Sequence, residues 1–272
     1  MRIVPAILLS TAVLALVCAP VYAQWVRVPA GGIPRGPDGK PNLSAPAPQT
    51  ADGHPDLSGV WEAANGAKYV LNVAVDLKPG DVSFQPSAKA LVDQRLDGSH
   101  SGEDPIANCL PQGVPRIDAS PAPWKIIQRP DFIVILYESA NMWRQIFLDG
   151  RELGTDFTPA WLGYSTGKWE GETLVVETKG LNGKTWLDQT GKPTSEALQV
   201  TERFRRKDFG HMDIQITIDD PKVYTKPWTV TEPVRLAPNA DVMENVCENN
   251  LDLKHLGRGE YKRALPSSPN EN

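Results

Sequence analysis

The sequence predicts an all-β fold: an antiparallel meander of about eight to ten strands closing into a barrel or sandwich, with one short helix. Three observations carry that expectation. Short runs rich in β-branched and aromatic residues recur from Trp124 to Leu236. Turn pairs such as Asp149-Gly150 and Asn182-Gly183 separate several of them. Helical character is confined to one stretch, Ser87–Leu96, with Pro86 suited to its first turn.

Taken in order, the chain opens with Arg2, an apolar run from Ile3 to Val17, and Val21-Tyr22-Ala23. That is the layout of a secretory signal peptide over residues 1–23. The apolar run, about 15 residues, is short for a bilayer span. The expectation is an exported protein, periplasmic or secreted, without a membrane span. Residues 24–56 are rich in proline and glycine and hold an imperfect repeat, PDGKPNLS at 37–44 and ADGHPDLS at 51–58. Each copy pairs an Asp-Gly turn with a helix-blocking proline, which predicts an extended, mostly solvated arm. A β domain follows over 57–250, then a polar tail over 251–272.

Within that domain the predicted strands are Leu57–Glu62, Lys68–Val73, Lys125–Gln128, Phe132–Glu138, Met142–Leu148, Thr173–Thr178, Leu198–Arg206, His211–Ile218 and Trp228–Leu236. A loop of about 25 residues separates the helix from the third of these, and loops that long are usually pinned. Cys109 sits inside it. Once Cys18 leaves with the signal peptide, Cys109 and Cys247 are the remaining cysteines, and in an oxidising compartment they read as one disulfide.

Charge and motifs exclude several function classes. The chain carries 28 basic and 33 acidic residues, a net charge of −5. An acidic chain with interspersed charges is a poor nucleic-acid binder. The four histidines, His54, His100, His211 and His255, show no metal-ligand spacing. No glycine-rich stretch sits between a strand and a helix, so no dinucleotide cofactor is expected. Gly163-Tyr164-Ser165-Thr166-Gly167 spells the G-x-S-x-G of a serine nucleophile elbow, but a turn and a strand follow it rather than a helix. The reading is a hairpin turn in which Gly167 supplies a positive φ.

The sharpest inference concerns Leu198–Ile218. Bringing the apolar faces of its two strands together pairs Phe204 with Ile214, Glu202 with Ile216 and Arg205 with Asp213, since a one-residue slip inverts every side chain. Glu202 then interrupts an apolar face. It forms a structural ion pair with an inward arginine such as Arg144, or it lines a cavity with a raised pKa. Trp143, Arg144, Tyr164 and Glu202 are the candidate ligand-binding residues, for a small apolar or aromatic molecule. The competing reading is a cofactor-independent lyase, isomerase or hydrolase with Glu202 as base and Asp149, Arg151, Arg144 or His211 as helpers. An envelope interaction protein is a third reading, resting on the proline-rich arm.

Two resemblances add to this. Gly59-Val60-Trp61 at the first strand resembles the G-x-W of lipocalins and other calycin barrels. That resemblance implies a lipocalin-like barrel whose tryptophan closes the floor beneath an arginine from a late strand, here Arg203 or Arg235. More broadly, DGHPDLSGVW (52–61), RQIFLDGR (144–151), WLGYSTGKWEGETLVVET (161–178), TWLD (185–188), SEALQVTERFRR (195–206), ITIDDPKVYTKPWTV (216–230) and VCENN (246–250) resemble a large group of exported bacterial proteins of unassigned activity. It implies a shared β fold and transfers no catalytic residue. Members of the group often carry histidine where this chain has Thr194.

Overall fold

The computed structural model describes residues 31–245 and Cys247. The segment read as a signal peptide, the first residues of the arm and the tail over 251–272 lie outside the described residues. Nine strands, each bonded to its neighbours in chain order, form a closed barrel. They are β1 (Gly59–Ala63), β2 (Trp124–Gln128), β3 (Phe132–Tyr137), β4 (Met142–Phe147), β5 (Tyr164–Glu170), β6 (Thr173–Lys179), β7 (Gln199–Arg206), β8 (His211–Asp219) and β9 (Trp228–Leu236). A single turn, α1 (Lys68–Leu71), and the expected helix α2 (Pro86–Arg95) lie in the long connection from β1 to β2. No helix among the described residues is long and apolar enough to cross a membrane.

The barrel departs from a purely antiparallel meander at one seam. Strands β4 and β5 pair in parallel, Ile146 with Ser165 and Phe147 with Thr166. Parity requires such a seam. Nine strands in chain order around a ring cannot alternate direction throughout, so at least one neighbouring pair must run parallel. A parallel join needs a connection that travels the barrel's length, and residues 148–163 make it.

Strand β5 has no counterpart among the strands expected from sequence, because GYSTG reads as a turn. The positive φ belongs to Gly163 (+60°), where a Cβ would sit 2.6 Å from the Lys179 carbonyl oxygen. Gly167 lies inside the strand. Its missing side chain makes room for Leu148 and Ile146, which a Cβ would meet at 2.8 and 3.1 Å. Lys68–Val73, expected as a strand, instead includes α1, which buries Tyr69 and Val70 against Ala119. Six residues of alternation are too few to separate strand from helix. The β7–β8 register is as expected: Phe204 pairs with Ile214, Glu202 with Ile216 and Arg205 with Asp213.

Both barrel ends are closed by the chain itself. At the end holding the β7–β8 loop, the arm is fastened rather than free. Its two repeat copies fold alike, with three backbone bonds recurring fourteen residues apart. These are Gly36 N–H to Lys40 O, Gly39 N–H to Gly36 O and Asn42 N–H to Pro34 O, matched by Thr50 to His54, Gly53 to Thr50 and Asp56 to Pro48. The first copy then bonds the loop (Gly210 N–H to Leu43 O, 2.8 Å), and His54 of the second stacks on Trp169 at 4.7 Å. At the opposite end, Gln112–Ser120 is buried throughout and plugs the barrel. Arg116 of this plug pairs with Asp104 through two bonds of 2.9 and 2.7 Å. Cys109, just before the plug, is disulfide-bonded to Cys247.

Candidate functional site

The inward face of each strand follows from alternation, and at the barrel's centre polar residues take positions that apolar ones hold elsewhere. On β4, Arg144 and Ile146 point inward while Trp143, Gln145 and Phe147 do not. On β7, Val200, Glu202, Phe204 and Arg206 point inward. Arg144 is only 3% exposed and Glu202 fully buried. They meet as a bidentate pair, Nη1 donating to Oε1 at 3.1 Å and Nη2 to Oε2.

Around this pair the neighbouring strands add hydroxyls. Arg144 Nε donates to Ser165 Oγ on β5 at 3.0 Å, and Nη2 donates to Thr178 Oγ1 on β6 at 2.7 Å. The two hydroxyls lie 2.9 Å apart. From β3, the Tyr137 hydroxyl donates to Asp118 Oδ1 at 2.6 Å. Asp118 is supplied by the plug, held there because Trp124 Nε1 donates to its carbonyl at 3.2 Å. Its Oδ2 faces Arg144 Nη1 at 3.6 Å, beyond hydrogen-bond range. Glu232, from β9, is a further buried acid pointing inward, and its Oε2 meets no partner among the described residues.

One guanidinium therefore faces two buried carboxyls, Glu202 and Asp118, with Glu232 close enough to both to feel their charge, and the electrostatics sort the three. Burial pushes the Asp118 carboxyl well above the usual carboxylate range, and the Glu202 carboxylate beside it adds to the rise. Burial does the same to Glu232, with Asp118 and Glu202 contributing. The Tyr137 phenol is likewise raised, by burial and then by Asp118. Burial works against the Arg144 charge, but Glu202, with Tyr137 and Asp118, together outweigh it, and the guanidinium is held above its ordinary pKa. Asp118 Oδ2 has no donor to accept from. In the protonated form that burial favours, this oxygen is a donor rather than an unsatisfied acceptor.

Of the residues singled out from sequence, the structure brings Arg144 and Glu202 together and leaves the others on the outer surface. Trp143 is 62% exposed, and Tyr164, 37% exposed, donates to Thr158 O. Asp149 and Arg151 pair with each other at the surface, where Arg151 lies over the Phe147 ring. His211 pairs with Asp208 beside the β7–β8 loop. The phenol that joins the arginine and the acid is Tyr137, not Tyr164. Trp61 is fully buried, as G-x-W implies, but the guanidinium over its ring is that of Arg206, 5.0 Å away. Arg203 and Arg235 form outer pairs with Glu170 and Glu62.

The sequence does not point to Asp118, Ser165 or Thr178 as members of the cluster, nor did it single out Glu232. Glu232 was legible, since it breaks the inward series Trp228, Val230, Val234, Leu236 as Glu202 breaks its own. Asp118 was not, because no periodicity marks a side chain delivered by a loop.

No protein-family model matches the chain, and no curated protein sequence matches it. Among solved structures, the fluorescent protein UnaG is similar over 66% of this chain and 97% of its own, with 14% identity and a TM-score of 0.31. A single-residue mutant of UnaG gives 66% and 96% coverage, 16% identity and a TM-score of 0.32. At that level nothing about a ligand carries over.

Proposed function

We propose that the protein is a small-molecule-binding barrel, exported from the cell, that engages its ligand through the buried Asp118–Tyr137–Arg144–Glu202 cluster. One observation carries this: a charged, multiply hydrogen-bonded cluster occupies the centre of an otherwise apolar barrel. Desolvating such a pair costs several kcal/mol per ion, on the order of what well-packed apolar residues would save. A cluster retained at that cost supports a functional role. The apolar walls, with Ile135, Ile214 and Phe204, suit an apolar or aromatic body, and the cluster suits one polar handle. Entry requires withdrawal of the Gln112–Ser120 plug, which carries Asp118 with it.

Export is supported by the signal-peptide pattern and by the Cys109–Cys247 bridge, since disulfides persist in oxidising compartments. The resemblance to exported bacterial proteins agrees with it. Mass spectrometry of small molecules retained by protein purified from its native envelope tests the binding reading. A stoichiometric, heat-releasable compound is expected, and its absence together with no stabilisation by aromatic probes would sink the idea.

A second reading, proton-transfer catalysis, is favoured by Asp118, an acid with a raised pKa beside the Arg144–Glu202 pair. Solvent deuterium incorporation into the retained compound, lost in Asp118→Asn, is the outcome it requires.

A further inference from the structure

The donor inventory of Arg144 limits what the interior accepts. A guanidinium has five N–H groups. Here Nε–H is used by Ser165, one Nη1–H by Glu202, and both Nη2–H groups by Glu202 and Thr178. The fifth points towards Asp118, 3.6 Å away. No pair of parallel N–H groups is left to clamp a carboxylate, and the positive charge already has its counter-ion. The buried atoms left without a partner are carboxyl oxygens, Glu232 Oε2 and Asp118 Oδ2.

We infer that this site takes an uncharged ligand, an apolar or aromatic molecule whose handle is a carbonyl, ether or hydroxyl, and rejects carboxylates and amines of the same shape. The inference rests on the binding reading above and deepens it. The chemistry is charge balance. Arg144 and Glu202 cancel, and burial favours the neutral acid form of Asp118 and Glu232, in which each has an O–H to donate to a carbonyl. A ligand anion would arrive with no free cation, and a ligand cation with no free anion, in an interior where an unpaired charge is expensive.

The test uses three probes on one skeleton: 2-acetylnaphthalene, 2-naphthoate and 2-naphthylmethylammonium, titrated calorimetrically against the full mature chain at neutral pH. The ketone is expected to bind at least tenfold more tightly than either ion. Tighter binding of the carboxylate, or equal binding of all three, overturns the inference while leaving interior binding intact. Binding of none of them removes both.

Glu202→Gln provides the converse. It strips Arg144 of its counter-ion, so preference should switch, with 2-naphthoate binding at least tenfold more tightly than to the parent chain and raising the variant's Tm. A folded variant that still prefers the ketone overturns the charge-balance argument. If the variant does not fold, the selectivity of the parent chain decides alone.

Discussion

Arg144 and Ser165 join the barrel across its only parallel seam: the guanidinium Nε of β4 donates to the Ser165 hydroxyl of β5 at 3.0 Å, beside the ladder pair Ile146–Ser165. That seam has two ladder pairs, against seven between β5 and β6. Ser165→Ala leaves Nε without an acceptor in a buried setting, which costs about 1–3 kcal/mol. A urea titration is expected to show that loss with an unchanged slope. A fluorophosphonate probe should leave Ser165 unlabelled, because the hydroxyl is buried and serves Arg144 and Thr178 rather than a catalytic base. Stoichiometric labelling would contradict this placement.

Removing one half of the Arg144–Glu202 pair strands the other. Glu202→Gln keeps the shape and leaves an unneutralised guanidinium, and Arg144→Met leaves a carboxylate beside the Asp118 proton. Each is expected to lose about 3–5 kcal/mol. The double replacement Arg144→Met with Glu202→Gln should lose clearly less than the sum. A double-mutant cycle by chemical denaturation measures the difference, and simple additivity would show that the two side chains do not act as a unit.

How much of this was legible from sequence depends on whether a residue's direction is set by alternation. The β7–β8 register followed from matching apolar faces, and with it the inward direction of Glu202. Arg144 followed from the same rule on β4. Strand β5 was hidden by Gly163 and Gly167, which read as turn chemistry although the second serves close packing against Ile146 and Leu148. The parallel seam was hidden with it, since β5 is one of the two strands that form it. Asp118 enters on a plug whose path depends on Cys109, Asp104 and Arg116 together, and only the assembled fold places it.

The bridge that holds the plug's approach should matter to stability. Cys109 and Cys247 are 138 residues apart. Loop-closure entropy assigns a bridge of that span roughly 4–5 kcal/mol, and measured bridges commonly give about 2–4. Non-reduced protein recovered after export should contain no alkylatable thiol, and Cys109→Ala should lower Tm by about 5 °C or more. Two alkylatable thiols in exported, non-reduced protein would exclude the bridge from the native state.

The buried acids give stability a pH dependence of defined sign. Asp118 and Glu232 have folded pKa values raised above the unfolded ones, chiefly by burial. The folded state therefore holds protons that the unfolded state has released, and stability falls as pH rises. The contribution is fully present below the unfolded values, 3.8 for Asp and 4.5 for Glu, and is lost as pH climbs through the folded ones. Carboxylates with lowered pKa values, such as Asp76 and Asp149, act in the opposite sense below pH 4, but they lie at the surface, where ion pairs contribute little. Unfolding free energy is thus expected to decline as pH rises above about 5, the range above the unfolded carboxylate values. Asp118→Asn, which has no proton to lose, should flatten that decline by up to one proton's worth, about 1.4 kcal/mol per pH unit. Urea midpoints measured across this range for parent and variant give the two slopes. Parallel slopes would mean that Asp118 is ionised in the folded protein.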